Sequence, residues 1–354
     1  MCKEILEFYR NKKVFVTGHT GFKGSWLCKM LENYGAKVTG YSLEPPEESS
    51  LFHIAGIDKG MRSVIGDIRD YERLKEAYDE AQPEVVFHLA AQPIVREGYK
   101  NPAYTYETNV MGTVNILECV RNTSCVKSFL NVTTDKVYKN KEWEWGYREN
   151  DELDGYDPYS NSKSCSELVT HSYKSAFFSN PARRVPISTA RAGNVIGGGD
   201  FASDRIIPDC VRAAIDGRDI IVRNPYSVRP YQHVLEPLYV YLMIAAKQSA
   251  DLKYEGYYNV GPDIQDCLQT GTLVNEFVKC WGSNLKWINQ HDGGPHEAGF
   301  LKLDCARLKS VFGWRPRWDV HEAVKRTVEW TKCWNSGGDV TVCMDRQIEE
   351  FLEK

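Results

Sequence analysis

The chain has 354 residues, of which 42% are hydrophobic and 26% charged. That make-up is ordinary for a globular protein and long enough for one large α/β domain or two smaller ones. The formal net charge of −4 and the lack of a basic run argue against a nucleic-acid partner. Eleven cysteines make no C-x-x-C pair, and Cys28, Cys119 and Cys165 sit in apolar patterns, so they read as reduced thiols of a cytoplasmic protein. No stretch reaches membrane-span length, and Met1–Glu7 lacks a signal-peptide core.

The first element is a short apolar run, Val14-Phe15-Val16, that leads into Gly18-His19-Thr20-Gly21-Phe22-Lys23-Gly24. A helix-length stretch follows from Ser25 to about Tyr34 and ends at Gly35. Residues 36–41 then read as a second strand. Strand, glycine loop, helix and strand form the front half of a dinucleotide-binding unit. Glycine there makes the tight turn, lets backbone approach a pyrophosphate and lets helix pack on strand. The helix N-terminus offers free N–H groups and its positive dipole end. Strand two closes at Ser42, near where an NAD-specific fold carries Asp or Glu for the ribose. Here there is neither that acid nor an arginine for NADP.

Ser63–Ile68 reads as a strand followed by Asp67. This carboxylate either reaches an adenine amino group or caps the helix that begins near Tyr71. Glu84–Gln92 reads as a buried parallel strand ending in Leu89-Ala90-Ala91, small enough to leave room for a ligand. His88 within it reads as a satisfied core residue. Thr108–Val120 carries helical spacing in Val110, Val114, Leu117 and Val120. The strand Val126–Val132 runs into Thr133-Thr134-Asp135-Lys136. That cluster of hydroxyls, carboxylate and ammonium suits catalysis, or equally a polar loop with an exposed ion pair.

Residues 141–156 look like an excursion over the site. Asp157-Pro158-Tyr159-Ser160-Asn161-Ser162-Lys163 then opens a helix to about Phe178. Tyr159 and Lys163 share one helical face, where a lysine favours the phenolate; the bland alternative is a surface contact. A sixth strand at Ile187–Arg191 precedes a turn-rich basic region. Arg205, Arg212, Arg223 and Arg229 are candidates to cradle a diphosphate, one or two of them serving. Residues 291–300 read as a loop whose histidines and acids lack metal-ligand spacing, so no metal is expected. Val320–Trp334 reads as an amphipathic helix and Asp345–Lys354 as a short charged one.

The glycine loop, Asp67, Leu89-Ala90-Ala91, Thr134, Tyr159 and Lys163 together resemble the extended short-chain dehydrogenase/reductase superfamily. Thr134-Asp135-Lys136 resembles the acid–base tripeptide of its sugar-nucleotide 4,6-dehydratases. Gly18–Trp26, Tyr156–Lys163, Arg191–Asp200 and Arg229–Pro237 are similar to the CDP-glucose branch, and the similarity runs from about residue 11 to about residue 334. Other branches carry Glu where this chain has Lys136.

The resemblance implies a Rossmann-type doubly wound parallel sheet over residues 1–193, with part of 222–250 returning to it, and a nucleotide-sugar lobe over 194–354. It implies NAD held by Gly18, His19, Thr20, Gly21, Phe22, Lys23, Gly24, Asp67, Ile68, Leu89, Ala90, Ala91, Tyr159 and Lys163. Catalysis would rest on Thr134, Asp135, Lys136, Tyr159 and Lys163. Substrate would meet Arg96, Asn194, Arg205, Ile207, Arg229 and His296. The implied reaction is dehydration of CDP-glucose to CDP-4-keto-6-deoxyglucose, in deoxysugar supply for surface polysaccharide. The implied assembly is a homodimer packed through the helices after Asn101 and after Tyr159. The competing activities are a 4,6-dehydratase or 4-epimerase acting on a UDP, thymidine or GDP sugar. A nucleotide-sensing protein on this fold would have lost Tyr159 or Lys163, and both are present.

Overall fold

Val14, Phe15 and Val16 are all buried, as are Val85, Val86 and Phe87. Continuous burial of this kind marks parallel strands covered on both faces. The computed structural model describes residues 2–45, 50–282, 285–290, 293 and 299–354. Its strands are β1 (Lys13–Thr17), β2 (Lys37–Ser42), β3 (Arg62–Ile65), β4 (Val85–His88), β5 (Ser128–Thr134), β6 (Ile187–Ala192), β7 (Val195–Ile196), β8 (Ile220–Val222), β9 (Val228–Pro230), β10 (Gln232–His233), β11 (Tyr257–Val260), β12 (Cys267–Gln269) and β13 (Trp287–Asn289).

Seven of these form one sheet in the order β11-β6-β5-β4-β1-β2-β3, and every pairing is parallel. Val14 lies opposite Val38 on one side and Val85 on the other. The chain order reverses between β1 and β4, which is where such sheets open a ligand crevice. Alternate residues feed two cores. Val14, Val16 and Phe87 join the helices Phe22–Asn33 and Leu235–Ala250. Phe15, Val86 and Phe129 join the helices Tyr71–Ala81 and Gly112–Arg121. This is the doubly wound α/β sheet expected from the sequence.

Three element boundaries differ from expectation. The helix expected over 108–120 starts at Pro102 and includes a π turn at Glu107–Met111, which absorbs an extra residue and hides the regular period. The last helix is Val340–Glu353, capped by Asp339, and it buries Met344, Ile348 and Phe351. Its charged half masked that apolar stripe. The return to the sheet also runs beyond 222–250, because β11 at 257–260 is the edge strand beside β6. Tyr257-Tyr258-Asn259-Val260 is too short and too polar to announce itself.

The second lobe has its own small core, including Ile207, Val211, Ile220, Val222, Leu273 and Phe277. Short pairs hold it: β7 with β10, β8 with β13, and β9 with β12. Ten cysteines, from Cys28 to Cys343, are free thiols.

One ion pair locks the sheet to the helix Pro158–Tyr173. Glu167 and Arg191 are 1% and 3% exposed and meet at 2.9 Å. Glu167 also accepts the hydroxyls of Thr133 at 2.5 Å and Thr189 at 2.8 Å, so helix, β5 and β6 share one carboxylate. Removing one partner strands the other charge in the interior. Glu167→Ala is expected to cost about 3–5 kcal/mol, measured as a lowered midpoint in urea unfolding. A loss under about 1 kcal/mol, the level of a surface pair, would contradict this role.

Candidate active site

Two glycines of the loop, Gly18 and Gly24, have no room for a side chain. Gly18 sits at φ +79°, and a Cβ there would stand 2.8 Å from the Ala90 nitrogen. A Cβ on Gly24 would stand 2.1 Å from the Gly18 carbonyl oxygen. The loop is therefore pressed against the end of β4, and the helix Phe22–Asn33 opens directly behind it with Gly21 as its N-cap. Its first turn faces a cavity of about 950 Å³ that continues over the strand ends into the second lobe. Ile68, Leu89, Ala90 and Ala91 line the same space. Thr20 Oγ1 donates to the Leu43 carbonyl and pairs with Ser42 Oγ, both at 2.9 Å. This cradle of bare backbone, free helix N–H groups and small strand-end residues fits the pyrophosphate and ribose of a dinucleotide. The end of β2 offers hydroxyls where a carboxylate would mark NAD.

Two expectations on this side are corrected. Asp67 does not cap the helix Tyr71–Ala81: Asp70 does, accepting from the Arg73 N–H. Asp67 instead lines the cavity, its carboxylate held by Arg69 Nη2 at 2.7 Å and kept below its usual range by that bond. His19 turns away from the cavity. Its ring is fully buried beneath β2, with Nε2 2.7 Å from Ser63 Oγ, and burial pushes it down to about 4. A β-sheet neighbour, not a ligand, claims that side chain. His88 is the core residue expected: Nδ1 lies 2.8 Å from Thr17 Oγ1 and Nε2 3.2 Å from Thr113 Oγ1.

Across the cavity, β5 ends at Thr134, and the next turn presents Asp135 and Lys136. Asp135 is 2% exposed. Thr134 Oγ1 donates to its Oδ1 at 3.0 Å, while Oδ2 is buried without a partner among the described residues. Burial raises this carboxyl, against Lys136, the Thr134 bond, Arg229 and Lys23. Lys136 is partly buried on the same wall. Asp157 caps the facing helix, accepting from the Ser160 N–H at 3.0 Å. That start puts Tyr159 and Lys163 on one face, both lining the cavity.

The tyrosine differs from expectation. Burial drives its phenol up to about 12, the Thr134 hydrogen bond being the largest opposing influence. Lys163 does not set it here. Its ammonium donates to the Val132 carbonyl at 3.2 Å, and burial together with Lys23 pulls it down to about 8. Lys23, from the glycine loop, is itself lowered to about 8 by burial and by Arg205. A loop residue thus reaches the acid–base centre, and nothing in its spacing signals this.

The arginines divide by position. Arg205 pairs with Asp200 at 2.9 Å and lies within electrostatic reach of Tyr159. Arg229 lies within electrostatic reach of Asp135. Arg96 from the sheet domain and Arg223 from the lobe both turn to Asp204, at 3.7 and 2.5 Å. Asp204 is a residue the sequence reading missed, and its φ of +62° is invisible in sequence. Arg212 bonds Asp209 and the Phe201 and Ala202 carbonyls and does not line the cavity, whereas Asn194 and Ile207 do. His296 lies outside the described residues.

A dinucleotide cradle facing a Tyr/Lys pair across strand ends defines an extended short-chain dehydrogenase/reductase. Residues 15–327 match the family model described as GDP-mannose 4,6 dehydratase, and the chain belongs to that family. It is 48% identical over 350 residues to the CDP-glucose 4,6-dehydratase of Salmonella typhimurium, covering 98% of this chain and 97% of that protein. The structure of UDP-glucose 4-epimerase from Thermus thermophilus, in complex with NAD, superposes with a TM-score of 0.77 at 23% identity, covering 90% of this chain and 98% of that one. The dTDP-glucose 4,6-dehydratase of Bacillus anthracis, in complex with NAD, superposes at 0.72 and 22% identity, covering 90% and 96%.

Gly193, also absent from the sequence reading, is where Asp135 gets its room. A Cβ there would stand 3.0 Å from Asp135 Oδ2 and 2.7 Å from Pro230 Cγ. Gly193→Ala should displace the carboxyl and cut turnover about 100-fold, the scale of a 1 Å misplacement. Cofactor affinity, measured by fluorescence titration, should change less than about threefold, or about 0.7 kcal/mol. Unchanged turnover would show that the carboxyl position does not matter.

Proposed function

We propose that this chain dehydrates CDP-glucose to CDP-4-keto-6-deoxyglucose with NAD as a recycled cofactor. The observation that supports the reading is that two acid–base pairs, Tyr159/Lys163 and Asp135/Lys136, line one cavity. A 4-epimerase needs the first pair and has no work for the second. The near full-length similarity to the Salmonella typhimurium CDP-glucose 4,6-dehydratase supports the same choice and favours cytidine over uridine or thymidine.

NAD, bound in the glycine-loop cradle, would accept a hydride from C4 and return it to C6. Tyr159, as phenolate, takes the 4-hydroxyl proton. Lys163 lies one helical turn further on, and its ammonium stabilises the phenolate when it forms. The new ketone acidifies C5–H, and Lys136 takes that proton. Asp135 gives its proton to the departing 6-hydroxyl, which leaves as water, and its buried setting keeps that proton available beforehand. C5 regains a proton from Lys136 as C6 is reduced. Arg96, Arg223 and Asn194 line the same cavity and suit the diphosphate, with Asp204 drawing the two arginines together until substrate arrives.

The same reading gives a homodimer. Met111 and Leu168, on the two helices named for it, are 50% and 54% exposed and would be covered in that dimer. It also gives a cytoplasmic location and a role in deoxysugar supply for surface polysaccharide. Among the described residues no helix is long and apolar enough to cross a membrane.

CDP-glucose deuterated at C4 should yield a 4-keto product deuterated at C6 with no stoichiometric NADH, read by mass spectrometry and absorbance. NADH matching product would leave a simple dehydrogenase. Equal kcat/KM for UDP-glucose would remove the nucleotide assignment.

Lys136→Met should leave C4 oxidation intact, so that reduced cofactor appears in a single turnover and persists. Exchange of the C5 hydrogen with solvent should fall by about 100-fold or more, the usual loss of a general base. Normal exchange would reduce Lys136 to a loop-ordering residue.

A further inference from the structure

Two of the arginines on the cavity wall come from opposite sides of the fold. Arg96 lies on the helix Val95–Lys100 of the sheet domain, and Arg223 follows β8 in the second lobe. Both converge on one atom. Asp204 Oδ1 accepts from Arg223 Nη1 at 2.5 Å and pairs with Arg96 Nε at 3.7 Å. Asp204 belongs to the turn between β7 and the helix Ile206–Ile215, and all three residues line the cavity.

We propose that Asp204 is a stand-in anion: in the empty enzyme its carboxylate holds the place of a substrate phosphate between Arg96 and Arg223, and a nucleoside diphosphate must displace it to bind. This rests on the nucleotide-sugar reading of the cavity.

Carboxylate and phosphate oxygens offer a guanidinium group the same acceptors. Two guanidinium groups aimed at one carboxylate oxygen are therefore already arranged for an oxygen of a phosphate. The exchange also leaves the receiving side in order. Arg223 Nη2 pairs with Asp209 Oδ2 at 3.7 Å, and Asp209 is itself held by Arg212 at 2.5 Å. Arg223 thus keeps a partner on the helix Ile206–Ile215 when Asp204 leaves.

The turn that carries Asp204 is suited to letting go. Its φ is +62°, a region that residues other than glycine populate sparsely and that persists only where the surroundings hold it, as at ligand clamps and switches. Asp200 anchors the turn on either side, accepting from the Ala202 N–H at 3.2 Å and from Arg205 Nη1 at 2.9 Å. A small backbone change at Asp204 can then swing its carboxylate aside without unfolding the turn.

The effect is modest in size, because the three side chains are 25%, 26% and 36% exposed and water screens such pairs. It is nonetheless selective. A ligand that brings a phosphate replaces what the arginines lose, whereas an uncharged nucleoside gains nothing from opening the contact. Asp204 in this way sets a threshold that the charged part of the substrate must meet.

The test is calorimetric titration of the NAD-loaded enzyme with CDP and with cytidine. Asp204→Asn removes the charge and keeps the shape, and Asp204→Gly removes the side chain. Both residues accept the left-handed turn. Each variant should bind CDP about fivefold more tightly than the parent, the worth of two partly exposed ion pairs, and should bind cytidine as the parent does. In an Arg223→Gln background the gain from Asp204→Asn should shrink to about twofold or less, because the group competed for is gone. A full fivefold gain in that background would reduce Asp204 to a distant charge and overturn the proposal. An equal gain for cytidine would do the same, since a loosened turn and not a displaced anion would then be the cause. CDP binding that neither variant improves overturns the stand-in role and leaves the nucleotide-sugar reading in place. A parent enzyme that binds no CDP overturns both.

Discussion

The Glu167–Arg191 pair is the contact on which the site's geometry depends. The tripeptide Thr134-Asp135-Lys136 sits at the end of β5, and Tyr159 and Lys163 sit on a helix packed against that strand. Nothing covalent fixes their spacing. Glu167, reaching from the helix, binds Thr133 one residue before the tripeptide, Thr189 and Arg191 on β6. A buried pair of this kind is a weak source of net stability but a strong penalty on any arrangement that breaks it. The helix cannot slide along the sheet without stranding a charge.

Burial then does the chemical tuning. Lys23 and Lys163 both lie near 8 because the site is dry and already crowded with cations. The same dryness lifts the Asp135 carboxyl and the Tyr159 phenol. Acids are made more reluctant to lose protons and ammonium groups more willing, which brings the Asp135 carboxyl towards the two lysines and sets the Tyr159 phenol above them. Groups shifted in this way suit a reaction that moves protons four times without an outside acid or base.

Much of this was legible in the chain because the informative residues are closely spaced. The glycine loop, the Leu89-Ala90-Ala91 strand end and the Tyr159/Lys163 step all sit within single β–α units, where sequence separation fixes spatial separation. What escaped depends on distant segments meeting. Lys23 belongs to the loop by sequence and to the acid–base centre by position. Gly193 matters through Asp135, nearly sixty residues earlier in the chain, and Asp204 through Arg96 on the other domain. The His19 ring goes elsewhere for the same reason: β2 and β3 behind the loop supply it a partner in Ser63. Asp67 lost its helix cap to Asp70, three residues on, a choice decided by local turn geometry that composition does not reveal.

The helix Pro158–Tyr173 buries an unusual face. Ser160, Ser162, Ser164, Ser166 and Thr170 point inward, and they bond Asp157, Asn109, the Val137 carbonyl, Thr113 and Asn131. A greasy interface tolerates exchange among residues of similar volume, whereas a seam of directional bonds does not. Laboratory evolution of this scaffold toward new sugars should therefore find the helix nearly frozen. Accepted changes should gather in the lobe around Asn194–Asp209 and Arg223, where the walls of the cavity come from turns and short strand pairs. The fold thereby separates an inherited catalytic hinge from a replaceable glove.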